Sequence, residues 1–491
     1  MRLLLPVILP ILAGILLLVS AKAGENRTVR TGILVAALAA ELLLVVSALA
    51  AGGAMELGKL TDTITIRFQI DGISRLFAAL TSVMWLCVGI YSISYLSHEE
   101  EESRFFGFYL IVEGVLIGLD FSANLITMYV FYELMTLTSL PLVLHERTKA
   151  AVMAGLKYLF YSVAGAFLAL FGIFFLAGVC RNLTFTPGGV PGILAGNRTL
   201  LLVSVCCLLI GFGTKAGMFP LHGWLPTAHP VAPAPASAVL SGVITKSGVL
   251  AVIRVVYYVV GPDTIRGTWV QTVWMVLALL TVFMGSMLAY KEQVFKKRLA
   301  YSTVSQVSYV LFGLSLLQAD AFVGALSHVV FHSVIKNGLF LVAGAVIVQT
   351  GWTRVGEMRG LGRVMPKTLG FYTLLSLALV GIPPASGFIS KWYLATGALA
   401  SETGAFAYAG PAVLLVSALL TAGYLLPVTI QGFFPGQEFD DRELRERNLL
   451  GKEPSVLMLI PIGALAIASL ILGCFPGWLI RCIQAVAETV L

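Results

Sequence analysis

The sequence predicts an all-α polytopic membrane protein of about 14 transmembrane helices, and three observations carry that prediction. Of 491 residues, 58% are hydrophobic and only 12% charged, with a mean hydropathy of +0.92, whereas a soluble domain is roughly one-quarter charged. Apolar stretches of about 20 residues, long enough to cross a bilayer as a helix, recur along the whole chain. Two of them are interrupted by proline and glycine beside a lysine, a pattern that a lipid-facing helix does not tolerate.

The first stretch, residues 2–20, opens "MRLLLPVILPILAGILLLVSAKA". Its basic start and small-residue end also fit a cleaved secretory signal, but its apolar run, Leu3 to Ala21, exceeds the roughly 7–15 residues of a signal core and spans a bilayer. Spans at 31–51, 72–96 and 104–119 follow, then 122–144, 151–179, 199–221 and 237–260. The remainder lie at 268–290, 300–317, 320–348, 369–392, 409–433 and 456–483. An even number returns the chain to its starting side. Basic residues concentrate in alternate loops, foremost "KEQVFKKR" (291–298) and "RVGEMRGLGRVMPK" (354–367), which makes that side cytoplasmic and sets both termini outside. This distribution, rather than a nucleic-acid partner, accounts for the net charge of +7. "HEEEESR" (98–104) is acidic and reads as a solvated loop or a partner contact. Six scattered cysteines form no CxxC pair or His/Cys cluster, so neither a cofactor nor a metal site is expected. Asn26, Asn182 and Asn197 sit in Asn-x-Thr sequons, set aside for a prokaryotic membrane protein.

Lysines inside the spans carry the functional argument. Arg75 and Arg254 lie near span ends and can snorkel. Lys157, Lys215, Lys246, Lys336 and Lys391 cannot all do so, and each costs about 2.5 to 3.5 kcal/mol at a helix centre facing lipid. They are therefore expected to face the bundle interior, water or a counter-charge. Acidic residues within spans are fewer, Glu41, Glu113 and Glu133; Glu133, in "FYELMTLTSLP", lies near mid-helix and is the preferred partner of a lysine. One buried lysine tied to backbone carbonyls can simply hold two helices together; five exceed that need. His328, His332 and Lys336 are spaced i, i+4, i+8, a rotation of only about 80° that sets all three on one stripe roughly 12 Å long. Imidazole exchanges protons near neutral pH through both nitrogens, so the stripe has the outline of a proton ladder. The plainer alternative is two histidines bonded to neighbouring helices. His222 and His229, just beyond the seventh span, join Lys157 as secondary candidates.

The chain also repeats itself. "KYLFYSVAGA" from Lys157 and "KNGLFLVAGA" from Lys336 align without gaps, and each half holds an interrupted, lysine-bearing helix: "TKAGMFPLHGWLP" in the seventh span and "GIPPASGFISKWYL" in the twelfth. Proline removes a backbone donor and unwinds both helices. Paired broken helices in two repeats mark a transporter, with the ion path at mid-membrane.

"FYELM", "TKAGMFPLHGWLPTAHPVAPAPASAVLSGVITKSGVLAVIR", "KRLAYSTVSQVSY", "LSHVVFHSVIKNGLFLVAGAV" and "GIPPASGFISKWYL" resemble the antiporter-like subunits of respiratory complex I, shared with Mrp-type cation/proton antiporters and membrane-bound energy-converting hydrogenases. The resemblance covers about residues 70 to 435. It implies two inverted five-helix repeats: N-terminal helices 1–3 over 1–103, helices 4–8 over 104–262, helices 9–13 over 263–435, and a cytoplasmic loop with helix 14 over 436–491. It further implies a coupled pair, Glu133 and Lys215, a central relay at Lys246, a bridge of His328, His332 and Lys336, and a terminal lysine, Lys391. Where the family's "DAHPEAP" is expected, the chain reads "TAHPVAP", so Thr227 and Val231 replace two carboxylates; Gln306 replaces a helix-10 histidine.

Burial and a carboxylate act in opposite senses on a lysine's hold on its proton, so changing the Glu133–Lys215 separation would move a proton towards Lys246. The expected partners are other membrane subunits, including homologous antiporter-like ones, the lipid bilayer, and protons or Na+. Three functions stay open: a proton-pumping subunit of a redox-driven complex, quinone- or hydrogenase-linked; a subunit of a Mrp-type sodium/proton antiporter that the ion gradient drives; and a non-conducting scaffold, which the full charge set disfavours. The expected location is the inner membrane of a prokaryote.

Overall fold

Six helices begin at a polar side chain that accepts hydrogen bonds from the otherwise unpaired first-turn N–H groups. Asn26 caps α2 (Arg27–Ala51), Asp71 caps α3 (Gly72–Tyr95), Asn124 caps α5 (Leu125–Val143), Thr148 caps α6 (Lys149–Val179), Asn197 caps α7 (Arg198–Ala216) and Gln318 caps α12 (Ala319–Thr350). The computed structural model describes residues 1–20, 26–59, 61, 64–180, 183–193, 196–437 and 439–491. Of the three sequons, Asn26 and Asn197 are helix caps, and Asn182 lies outside the described residues.

The remaining helices of seven residues or more are α1 (Leu5–Val19), α4 (Glu102–Asp120), α8 (Leu225–Val231), α9 (Ala234–Val260), α10 (Trp269–Lys291), α11 (Phe295–Ser315), α13 (Pro366–Val380), α14 (Ser386–Leu399), α15 (Phe406–Phe433), α16 (Val456–Cys474) and α17 (Gly477–Val490). Among the described residues, ten helices are long and apolar enough to cross a membrane: α2, α3, α5, α6, α7, α9, α10, α12, α15 and α16. α9 is buried along its whole length and α12 nearly so, so these two form the centre around which the others stand.

The seventh and twelfth spans are broken, as the sequence leads one to expect, while the last span and the link between the second and third spans depart from expectation. The predicted seventh span, 199–221, stops at Ala216, where Gly217 takes a left-handed conformation (φ 78°) and the chain turns before α8. The twelfth, 369–392, divides into α13 and α14 at Gly381 (φ 92°). The last, 456–483, divides at Phe475–Pro476 into α16 and α17. α17 buries Leu479, Ile480, Ile483, Ala487 and Val490 along one face and exposes Arg481 and Glu488 on the other, so it is an amphipathic helix and not the end of a span. The all-α expectation also needs correcting, because β1 (Gly53–Lys59) pairs antiparallel with β2 (Thr65–Ile70). The alternation in "TIRFQI" places Phe68 inward, against Phe121 and Phe131, and Phe121 O accepts from Gln69 N. That period-two signal lies between two spans and is hidden by their length.

Candidate functional site

α9 is not regular. Two π-turns, Leu240–Ile244 and Arg254–Val260, interrupt it, and such turns shift the backbone pairing to i→i+5. Ser241 O accepts from Lys246 Nζ at 2.5 Å, and Gly242 O accepts from the Ser333 hydroxyl of α12 at 2.5 Å. Gly242 has no room for a side chain, since a Cβ there would lie 2.0 Å from the Asn337 amide. The helix thus gives its lysine a backbone ligand and lets α12 approach closely.

On the α12 side, Lys246 Nζ lies 2.7 Å from His332 Nδ1. The His332 and His328 rings stack at 5.9 Å between centroids, and His328 Nδ1 bonds the Ser390 hydroxyl of α14 at 2.9 Å. The next residue of α14 is Lys391, half-buried, whose Nζ donates to Leu379 O at 2.7 Å and Val380 O at 2.8 Å. These are the last carbonyls of α13, left unpaired by the break and at the negative end of its dipole. Tyr309 completes the contact, stacking on His328 at 5.6 Å and facing Lys391 Nζ at 5.4 Å. Lys246, His332 and His328 are therefore brought into one file across α9 and α12, which the Tyr309 ring joins to Lys391 of α14. Both imidazole Nε2 atoms in it are buried without a hydrogen-bond partner. Lys336 shares the stripe but turns aside, donating to Leu299 O of α11 at 2.9 Å.

Lys215 ends α7, fully buried, and its ammonium donates to three hydroxyls: Thr136 at 2.9 Å, Tyr158 at 2.8 Å and Ser162 at 3.0 Å. The Tyr158 ring also lies 4.3 Å below it, a favourable seat for a cation. Glu133, the expected partner, forms no ion pair with it within 4 Å. It lies half-buried on α5, one oxygen without a hydrogen-bond partner. The helical spacing explains the outcome: Thr136 and Tyr132 turn inward on α5, and Glu133, between them, turns toward the flank. Lys215 and Lys246 share no hydrogen bond among the described contacts.

The secondary candidates are spread apart. Lys157 is half-buried and donates to Thr227 Oγ1 at 3.0 Å, so the position where a carboxylate was expected serves as its hydroxyl ligand. His222 stacks on Phe219 at 5.9 Å. His229 is fully buried, stacked on Phe340 at 4.7 Å, with neither ring nitrogen bonded. Gln306 is fully buried in α11. Arg254 does not snorkel. It is buried and pairs through both terminal nitrogens with Asp71, between the rings of Phe185 and Tyr258. At Asp71 burial opposes ionisation, yet this pairing wins and holds its carboxyl below the usual range. Among the described residues, no three His, Cys, Asp or Glu side chains are grouped to hold a metal.

Sequence reasoning missed the hydroxyl cage of Lys215 and the π-turns. Tyr158 and Ser162 carried a signal, an i, i+4 polar pair next to Lys157 on a mostly apolar helix; the π-turns carried none.

A family model described as "NADH:quinone oxidoreductase/Mrp antiporter, TM" matches residues 122–421, and another, "NADH-Ubiquinone oxidoreductase (complex I), chain 5 N-terminus", matches 56–106. The N subunit of the NADH-quinone oxidoreductase of Desulforudis audaxviator is 32% identical, over 84% of this chain and 82% of that protein. A Na(+)/H(+) antiporter protein of Bacillus subtilis, the D-type member of its complex, is 30% identical over 99% and 96%. In fold, a chain of the Mrp complex from Dietzia sp. superposes with a TM-score of 0.84 at 23% identity, covering 99% of this chain and 97% of that one. A chain of respiratory complex I from Thermus thermophilus does so with 0.83 at 24%, covering 99% and 98%. With the matched model covering more than half its length, the chain belongs to the transmembrane-subunit family shared by NADH:quinone oxidoreductases and Mrp antiporters.

Proposed function

We propose that the chain is a proton- or cation/proton-translocating subunit of a multisubunit membrane complex of the complex I or membrane-bound hydrogenase type. The observation that carries this reading is the file Lys246, His332, His328, Ser390 in the centre of the bundle, with Lys391 beside it across the Tyr309 ring. From Lys246 to Ser390, groups that both take and give protons follow one another there at hydrogen-bonding and stacking distances. A buried file of this kind has little structural value of its own, because desolvating several cationic groups is costly.

Lys215 is the other loading point. Held by three neutral hydroxyls, it has no fixed counter-ion, so a shift of α5 bringing Glu133 nearer would strengthen its hold on a proton and a shift away would weaken it. Lys157, His222 and His229 are proposed as side positions, and Lys336 as a branch. Four further elements, α1, α4, α11 and the broken α13–α14 pair, are taken to cross the membrane with the ten apolar helices. That gives fourteen crossings, five-helix units over 104–262 and 263–435, and both termini outside a prokaryotic plasma membrane. Neighbouring subunits supply the driving motion, some of them homologous to this chain.

Membership of a Mrp-type antiporter powered by the ion gradient is the second reading, favoured by the near full-length match to a Na(+)/H(+) antiporter protein. Gentle purification from the native membrane separates the two. Co-purifying iron–sulfur with nickel or flavin subunits identify a redox-driven pump, and small hydrophobic partners alone identify an antiporter. In proteoliposomes of that complex, proton uptake is expected to vanish in Lys246→Ala; retained uptake would overturn the file as the path.

A further inference from the structure

Away from the lysine file, three helices bury carboxylates between them. Glu41 of α2 and Glu113 of α4 are both inaccessible to solvent and lie side chain to side chain. The Ser82 hydroxyl of α3 donates to Glu41 Oε1 at 2.9 Å and is shared with Ala78 O at 3.0 Å. Glu41 Oε2 and both oxygens of Glu113 have no donor. Three orphaned carboxylate oxygens at this depth point to an occupant, because each unsatisfied acceptor away from water is costly.

The surroundings limit what that occupant is. α1 sets Val7 O and the aliphatic atoms of Ile11 and Pro10 close against Gly114, the residue after Glu113. Tyr109 of α4 is an ionisable neighbour of Glu113, with Cys87 of α3 beside it, and the Tyr109 hydroxyl is already spent on Trp85 O at 2.6 Å. Asp120, seven residues beyond Glu113 on α4, is buried with the Thr81 hydroxyl at 2.9 Å, and Arg254 acts on its side. Among the described residues, no lysine, arginine or histidine lies within 4 Å of Glu41 or Glu113. Two adjacent carboxylates in low dielectric cannot both ionise without a cation; they share a proton.

We infer that Glu41 and Glu113 form a second proton-binding site, separate from the lysine file, in which one proton bridges two carboxylates and Ser82 fixes the orientation of the pair. It does not depend on the proposed path through Lys246. The bridging proton supplies the missing donor and removes one of two like charges, and Asp120 is the next acceptor along α4.

Infrared difference spectra of the intact complex in low-Na+ buffer test the site directly. Wild type minus Glu113→Gln should contain the C=O band of one protonated buried carboxyl at neutral pH, shifted in D2O; Glu41→Gln should alter the same band. Ser82→Ala, a milder change, should move the band without removing it. Lys246→Ala should leave it intact, so a failed transport path and a failed carboxyl site are told apart. No carboxyl band, or one indifferent to all three variants, overturns the site. Loss of the wild-type band on adding NaCl overturns the proton as occupant and makes the pair a sodium site.

Discussion

Lys246 and His332 meet across the two most buried helices of the bundle, Nζ to Nδ1 at 2.7 Å. When the ammonium donates, Nδ1 accepts and the imidazole proton sits on Nε2, the nitrogen without a partner and the one free to pass it on. A hydrogen bond to a charged group contributes about 1.5 to 3 kcal/mol, so a double-mutant cycle of Lys246→Met and His332→Phe should show coupling of about that size in thermal stability. Additive effects would mean the two side chains do not act as a pair.

Lys215 should be sensitive to its cage as well as to its charge. Lys215→Ala is expected to lower translocation at least about tenfold, an effect of roughly 1.4 kcal/mol on the limiting step, with assembly preserved. Tyr158→Phe, which removes one of three ligands and leaves the ring under the ammonium, should give a smaller loss. Proteoliposome assays with quantified subunit content check both.

Removing one partner of the Arg254–Asp71 pair leaves a buried charge uncompensated. Asp71→Asn is expected to destabilise the protein by about 3 to 5 kcal/mol, read as a lowered unfolding temperature in detergent. Asp71 also caps α3, and asparagine retains that role, so the loss reports the ion pair.

Gly242→Ala should be destabilising beyond its helix propensity, because the new methyl would meet the Asn337 amide. Overpacking of this kind costs about 1 to 3 kcal/mol. The double variant Gly242→Ala with Asn337→Ala should recover much of the loss in the same unfolding assay.

His145, in the loop after α5, gives a pH prediction. Burial, and then the Arg104 guanidinium beside it, push its imidazole down to about 4 from the usual 6.5, so Glu99, at 3.8 Å, does not face a cation near neutrality. The unfolded chain takes up this proton below about 6.5 and the folded chain only near 4. Its contribution is therefore fully present above about 6.5 and is lost as pH falls towards 4. Unfolding temperatures of wild type and His145→Gln should converge across that window, and parallel curves would sink the assignment.

What the sequence determined by itself is the part governed by solvent and local chain geometry. A bilayer admits only segments that satisfy their own backbone, so apolar length located most of the helices, prolines and glycines located the two breaks, and i, i+4 spacing aligned His328 with His332. The cost of a lysine in hydrocarbon then singled out Lys157, Lys215, Lys246, Lys336 and Lys391 as interior groups. Tertiary structure decided which partner each one met. Glu133 was the obvious carboxylate for Lys215, yet its direction depends on the rotation of α5, which packing sets; the ammonium went to Thr136, Tyr158 and Ser162. Arg254, near a span end, looked free to reach water, but a π-turn and Asp71 hold it inside. Pairings between residues tens to hundreds of positions apart follow from how helices rotate and approach one another. Those quantities are fixed by the summed fit of many side chains, and no single stretch of sequence encodes them.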